Sequence, residues 1–178
     1  LHQLVGRMDD LDHHFALVTL FEIMDVAARA DLKSDLLKDL DKQRHTLDAY
    51  HGNPAIVEVV LDKVIGEIDQ CYEALNTQPG KAGQPLTEND WLMSIRSRIS
   101  IPGGTCEFDL PAYYAWQHKT GVSRQTDLKQ WIGTLTALAD AVHLLLKLLR
   151  DSGAPQKVIA NGGQFQQSLP QGRTFLLM

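Results

Sequence analysis

The chain is 178 residues long, 44% hydrophobic and 22% charged, with a formal net charge of −5. This composition excludes a disordered chain and fits one domain, or one domain with part of another. With 22 acids against 17 bases, it also argues against nucleic acid as a partner, which selects proteins with a basic face.

The elements predicted in chain order are mostly helical. Asp12 to Ala28 is almost wholly apolar after its first three residues, the pattern of a helix buried on most sides. From Asp31 to Tyr50, Leu32, Leu36, Leu37, Leu40 and Leu47 form a stripe opposite Lys33, Lys38, Asp41, Lys42 and Arg44, which predicts an amphipathic surface helix. Asn53 as N-cap and Pro54 as first helical residue predict a third helix carrying Ile56, Val60, Val64, Ile68, Cys71 and Leu75. "NTQPGKAGQP" reads as a turn-rich link. A fourth helix is expected to open at Thr87, with Asp90 completing a capping box, and to run to about Ile99. After the Pro102-Gly103-Gly104 turn, Asp109 is a candidate cap for a short helix bearing Tyr113, Tyr114 and Trp116. Ser123 is the predicted cap of a last long helix ending near Arg150. In it Leu128, Trp131, Leu135, Leu138, Val142, Leu145 and Leu149 alternate at spacings of three and four. That seam predicts a bundle core. Leu144, Leu146 and Leu148 widen it enough to suggest burial against a second chain.

After Arg150 the sequence becomes rich in Gly, Gln and Pro and ends on "TFLLM", read as a strand whose partner lies elsewhere. The expected fold is therefore mainly α: a multi-helix bundle over residues 1–152, then the start of a β-rich region over 153–178 that is incomplete in this chain. Natural sequence is expected to extend beyond the stretch that starts at Leu1. The longest apolar run, "ALADAVHLLLKLLR", is interrupted by Asp140, His143 and Lys147, against the roughly 20 apolar residues a membrane span requires. No membrane insertion is predicted.

The candidates for chemistry are few. Cys71 and Cys106 lie far apart and fit no metal spacing, so reduced thiols in a cytoplasmic protein are expected. Cys106 follows two glycines and precedes His118, which makes it the candidate nucleophile of an alternative, enzymatic reading. A reactive thiolate needs a nearby base or cation, whereas Glu107 and Asp109 oppose one. None of the seven histidines pairs at the spacing of a helical zinc site. "PGGTC" lacks the lysine and following helix of a phosphate loop, so no cofactor is predicted. The basic residues carry more promise. Arg29, Lys33, Arg96, Arg98, His118, Lys119 and Arg124 stand mostly near helix ends and turns. Brought together, they would make a basic patch suited to an acidic peptide or tail. Arg96 and Arg98 lie two apart on a helix and project about 200° apart. Whichever faces inward needs an acid such as Glu107 or Asp109.

The stretch "SIPGGTCEFDLPAYYAW" closely resembles the Ser-Ile-Pro-Gly-Gly-x-Cys-x-Phe-Asp-Leu-Pro segment of the ZapD family, Z-ring-associated division proteins of Gram-negative bacteria. "DLLKDLDKQRHTLDAY" and "QWIGTLTALADAVHLLLKLLR" resemble family helices, and the resemblance runs from about Leu11 to Gly163. It implies a helical domain joined to a β-rich one, a homodimer, and a non-enzymatic cytoplasmic protein at the midcell division site. It further implies binding to the C-terminal tail of the tubulin-like FtsZ through a basic groove, and cross-linking of its filaments. Arg29 matches a family arginine before the "LLKELD" helix, and Arg96 and Arg98 match the pair before the turn. Trp91 and Tyr114 stand where other members can be basic. Residues 95–119 are expected to form a structural corner with Cys106 and Phe108 packed inward. A helical scaffold for another acidic peptide is the second binding alternative.

Overall fold

The computed structural model of the protein describes residues 1–29, 31–151, 159–160, 162–164 and 166. Among these, nine helices follow one another: α1 (His2–Gly6), α2 (Asp10–Ala27), α3 (Leu32–Asp48), α4 (Glu58–Thr77), α5 (Gln84–Thr87), α6 (Asp90–Arg96), α7 (Pro111–Gln117), α8 (Gly121–Gly133) and α9 (Thr136–Asp151). The fold is mainly α, as expected, with no strand among the described residues. The "TFLLM" segment lies outside them.

One half of the bundle is α3, α4 and α9. Lys33 reaches Gln78, Arg44 pairs with Asp69, and His51 lies beside Asp62. Residue numbers rise along α3 as they fall along α4, so the two are antiparallel. Lys147 pairs with Glu67, and Gln78 bonds the Thr134 carbonyl, which sets α9 antiparallel to α4. The leucine stripe of α3 supplies buried Leu40 and half-buried Leu32, Leu36, Leu37 and Leu47. The other half joins α1, α2 and α8. Between them, Trp91, Trp116 and Trp131 from α6, α7 and α8 cluster with ring centroids 5.2 to 6.1 Å apart, and Tyr113 stacks on Trp116. Aromatic pairs at such distances add about 0.5–1.5 kcal/mol each beyond their burial.

The buried corner where α1, α2, α7 and α8 meet is polar. Arg124 is 5% exposed and His13 is 0% exposed. The guanidinium donates to His13 Nδ1 (3.0 Å) and to the carbonyls of Gln117 (2.7 Å), Lys119 (2.5 Å) and Met8 (2.8 Å). The last carbonyls of a helix have no partner within it, and Arg124 supplies donors to those at the end of α7. Because His13 Nδ1 accepts, its hydrogen sits on Nε2, which has no partner among the described residues. Gly121 lets α8 begin against this corner: a Cβ there would lie 2.7 Å from the Met8 carbonyl oxygen. Alongside, the Tyr113 hydroxyl and His14 Nδ1 share a hydrogen bond of 2.6 Å, and the hydroxyl accepts from Gln117 Nε2. Burial pushes the Tyr113 phenol well above its ordinary range and lowers the pKa of His14.

Several predicted boundaries are corrected. Asn53 does not cap a helix; its side chain accepts from Ala55 in a local turn, and α4 opens at Glu58. That later start leaves Val60 exposed and Ile56 outside the helix, while Leu61 takes the buried position. Asn89, not Thr87, caps α6, which ends at Arg96. Pro111 opens α7 and Thr120 caps α8, in place of Asp109 and Ser123. The last long helix is two helices bent by 63°. At the bend Thr134 and Leu135 bond three residues back, which tightens the turn after Gly133. The seam continues across because Leu128 and Leu135 both face the same core. Within α9 the fully covered positions are Leu138, Ala141, Leu144 and Leu145, with Val142 and Leu149 only half covered. α2 buries one face, and Leu11, Phe15 and Val26 on it remain half exposed. No single helix among the described residues is long and apolar enough to cross a membrane.

Candidate functional site

A cavity of about 270 Å³ lies where α2 ends and α3 begins. It is lined by Ala27, Arg29, Lys33, Ser34, Leu37, Gly80, Lys81 and Ala82. Three of these eight are cationic and none is acidic. Small residues make the space: Ala27 closes α2, Ser34 lies on α3, and Gly80 and Ala82 flank Lys81. On α3, Lys33, Ser34 and Leu37 share one side because residues three and four apart are neighbours on a helix. The opposite wall is the "PGKAG" turn, in which Gly80 (φ +68°) and Gly83 (φ +75°) adopt left-handed backbone that other residues resist. A Cβ on Gly80 would collide with the Gln84 side chain, which accepts from the Lys81 amide at 3.2 Å. Lys33 crosses the gap and donates to the Gln78 carbonyl at 2.5 Å and to the Gly80 carbonyl at 3.5 Å.

The structure brings together only two of the seven basic residues singled out from sequence, Arg29 and Lys33, and adds Lys81. Sequence reading passed over Lys81 as part of a link; a lysine enclosed by turn glycines was the available signal. The other five lie apart from the cavity lining. Arg96 is paired with Asp25, four residues before Arg29. Arg98 pairs with Asp109 at 3.1 Å, one of the acids anticipated for it. Lys119 pairs with Asp127 at 3.2 Å, a carboxylate that also accepts from Trp116. His118 packs on Tyr114 and bonds its carbonyl. Arg124 is enclosed in the corner described above. Within the single chain, five of the seven therefore add nothing to the lining of this cavity.

Residues 97–110 do make a structural corner, a series of turns between α6 and α7. Gly103 supplies a left-handed conformation (φ +75°), and a Cβ on Gly104 would lie 2.6 Å from the Arg98 carbonyl oxygen. Tyr113 and Trp116 enter the core, as expected. Cys106 and Phe108 do not pack inward: Cys106 is exposed and Phe108 is 89% exposed. Backbone bonds from Cys106 to Gly103 and from Leu110 to Cys106 close the turns, so neither side chain is needed as an anchor. The Cys106 thiol donates to Asp109 at 3.5 Å, and His118 is engaged elsewhere.

A second charged cluster caps the α3–α4 hairpin. His51 Nδ1 and the Gly52 amide both meet the Glu58 carboxylate at 2.7 Å, and Asp48 and Asp62 flank His51 Nε2 at about 4 Å. The hydrogen bond to Glu58, then the surrounding carboxylates, raise the His51 pKa. The Gly52 amide and His51 lower that of Glu58. Potential ligand atoms of His51, Glu58 and Asp62 lie within 4.8 Å of one another, all exposed. With Nδ1 engaged by Glu58, the group is an ion-pair clasp that closes the hairpin.

Fold and surface together define a mainly α-helical protein whose distinguishing feature is a cation-lined cavity. A family model described as "ZapD: Cell division protein" matches residues 1–178. The "Cell division protein ZapD" of Cupriavidus pinatubonensis is 55% identical over 178 residues, all of this chain and 70% of the relative. That of Ralstonia nicotianae is 56% identical over 168 residues, 94% of this chain and 66% of the relative. The chain belongs to the ZapD family of cell division proteins.

Proposed function

We propose that the chain acts in division by binding FtsZ, through that protein's acidic C-terminal tail, and that a homodimer cross-links FtsZ filaments at midcell in the cytoplasm. The observation that carries this reading is the cavity of Arg29, Lys33 and Lys81, acid-free on a chain of net charge −5. Cations with no acid among the lining residues of one concave surface are the chemistry that holds an acidic extended peptide. Two such sites on a symmetric dimer would hold two filaments, and many weak contacts along a filament add through avidity. The function is binding, without a catalytic step. The test is co-sedimentation with FtsZ filaments at two salt concentrations, comparing the unmodified protein with Arg29→Glu and Lys81→Glu. Both variants are expected to bundle less while keeping the helical circular-dichroism spectrum. Undiminished bundling by both would remove the cavity from the interaction. Loss of binding to an unrelated acidic peptide, with FtsZ unaffected, would favour a scaffold for another partner.

A further inference from the structure

Resting on that reading of the same cavity, we propose that it takes a single carboxylate inserted end-on between Arg29 and Lys81, and that Lys33 is a positioning residue that holds the loop bearing Lys81. At about 270 Å³ the space is smaller than the roughly 300–1,000 Å³ of small-molecule sites. It suits the tip of a chain rather than a whole cofactor. Its room comes from the small residues Ala27, Ser34, Gly80 and Ala82.

The three cations are not equivalent. The Lys33 ammonium is directed at the carbonyls of Gln78 and Gly80, which ties the start of α3 to the 78–80 backbone. Gln78 in turn bonds the Thr134 carbonyl at the α8–α9 bend. Lys33 thus braces the turn against the body of the bundle. Arg29 and Lys81 have no carboxylate partner among the described residues, which leaves them to meet a ligand. The shared chemistry is a carboxylate, whether from an aspartate or glutamate side chain or from a free chain end.

The test is a nitrogen–proton NMR titration of the chain. The probes are a short glycine-rich peptide with one aspartate and a free C-terminus, the same peptide amidated, and the amidated peptide with asparagine for aspartate. The expected result is shifts at the amides of residues 29–37 and 80–82 with the first two probes and none with the third. Shifts with the first probe alone would assign the chain-end carboxylate. Equal shifts with the third would overturn the carboxylate inference.

Arg29→Gln and Lys81→Gln should each weaken binding about tenfold, or about 1.4 kcal/mol, and reduce its sensitivity to salt. Ser34→Leu, which adds no charge and sits on an exposed helix position, should abolish binding by filling the cavity. Lys33→Met should move the free-state Gly80 and Lys81 amides while keeping the salt sensitivity, and Lys33→Arg should restore binding. Unchanged binding by Ser34→Leu would overturn the insertion geometry, and a Lys33→Met variant indistinguishable from Lys81→Gln would overturn the positioning role. Because the probe is a peptide, the outcomes separate. Peptide binding without filament co-sedimentation would refute the FtsZ reading alone. Filament binding that survives Ser34→Leu would refute this inference alone.

Discussion

Replacing Arg124 by methionine tests the buried corner and the assignment of this arginine to the interior. Methionine keeps much of the stem volume and removes the donors that serve His13 Nδ1 and the carbonyls of Met8, Gln117 and Lys119. A buried acceptor left without a donor costs about 1–3 kcal/mol. His13 is wholly enclosed and meets that cost in full. The three carbonyls are part-buried and recover some of it from water, and removing a desolvated cation offsets a further part. The net loss is about 3 kcal/mol. For a chain of this size, about 2–4 °C of Tm per kcal/mol translates this into a fall of roughly 6–12 °C by differential scanning calorimetry. A double-mutant cycle with His13→Leu sharpens the test. Replacing both members of a buried polar pair by apolar groups can be nearly neutral, so the double variant should be markedly more stable than the sum of the single losses. Additive losses, or an Arg124→Met protein of unchanged Tm with weakened acidic-peptide binding, would refute the structural role and return Arg124 to the surface.

Gly104→Ala should destabilise by about 1–3 kcal/mol, read from urea unfolding, because its Cβ would lie 2.6 Å from a backbone oxygen that cannot move without opening the turn. Phe108→Ser should change stability by no more than about 0.5 kcal/mol in the same assay, since an 89% exposed side chain has little burial to lose. His51 should titrate by NMR above its ordinary value of 6.5, and Glu58→Gln should bring it back toward that value. The sign for stability follows from the two directions. His51, raised when folded, stabilises below pH 6.5 and loses that contribution as pH rises through its folded value. Glu58, depressed, stabilises above its ordinary 4.5 and loses its contribution as pH falls through its folded value. The clasp is therefore strongest between about 4.5 and 6.5, and His51→Gln should flatten the pH dependence of Tm on the alkaline side of that window.

Helix identity was legible from periodicity because α2, α3 and α4 each bury a stripe that recurs in the residue pattern. Helix ends were less legible. Thr87 and Asn53 carry the right chemistry for caps, but capping is decided by which neighbouring backbone turns: Asn89 caps α6, and α4 begins after Val57, which offers no side-chain cap. The α8–α9 bend was hidden because a three-four seam reads the same on a straight helix and on two helices folded round one core. Gly133 was its only local trace. For the basic residues, Arg29 and Lys33 were singled out among seven near helix ends and turns, with nothing in the sequence to pair them. The role of Arg124 was not legible either, because its partners at Met8 and His13 are more than a hundred residues away. The inward reading of Phe108 failed for a related reason: an aromatic in a turn packs only if the turn needs it, and here glycine geometry closes the chain unaided.

An acid surplus explains why so few cations are left for a ligand. With 22 acids to 17 bases, an exposed arginine or lysine readily meets a carboxylate, as Arg44, Arg96, Arg98, Lys119 and Lys147 do. No acid lines the cavity: "AAR" at the end of α2 and "QPGKAG" in the turn contain none, and of the nearby acids Asp25 pairs with Arg96, Asp35 pairs with Lys38, and Asp31 stays outside the lining. The field at the cavity is then set locally. At physiological ionic strength charges beyond about 8 Å are screened, so Arg29, Lys33 and Lys81 dominate and the distant net charge of −5 counts for little. At very low salt the whole-molecule charge reaches an acidic ligand and opposes it, while at high salt the local attraction itself fades. Affinity for an acidic peptide should therefore pass through a maximum at intermediate salt. A monotonic fall from the lowest salt upward would mean that the cavity's own charges outweigh the rest of the molecule at every range.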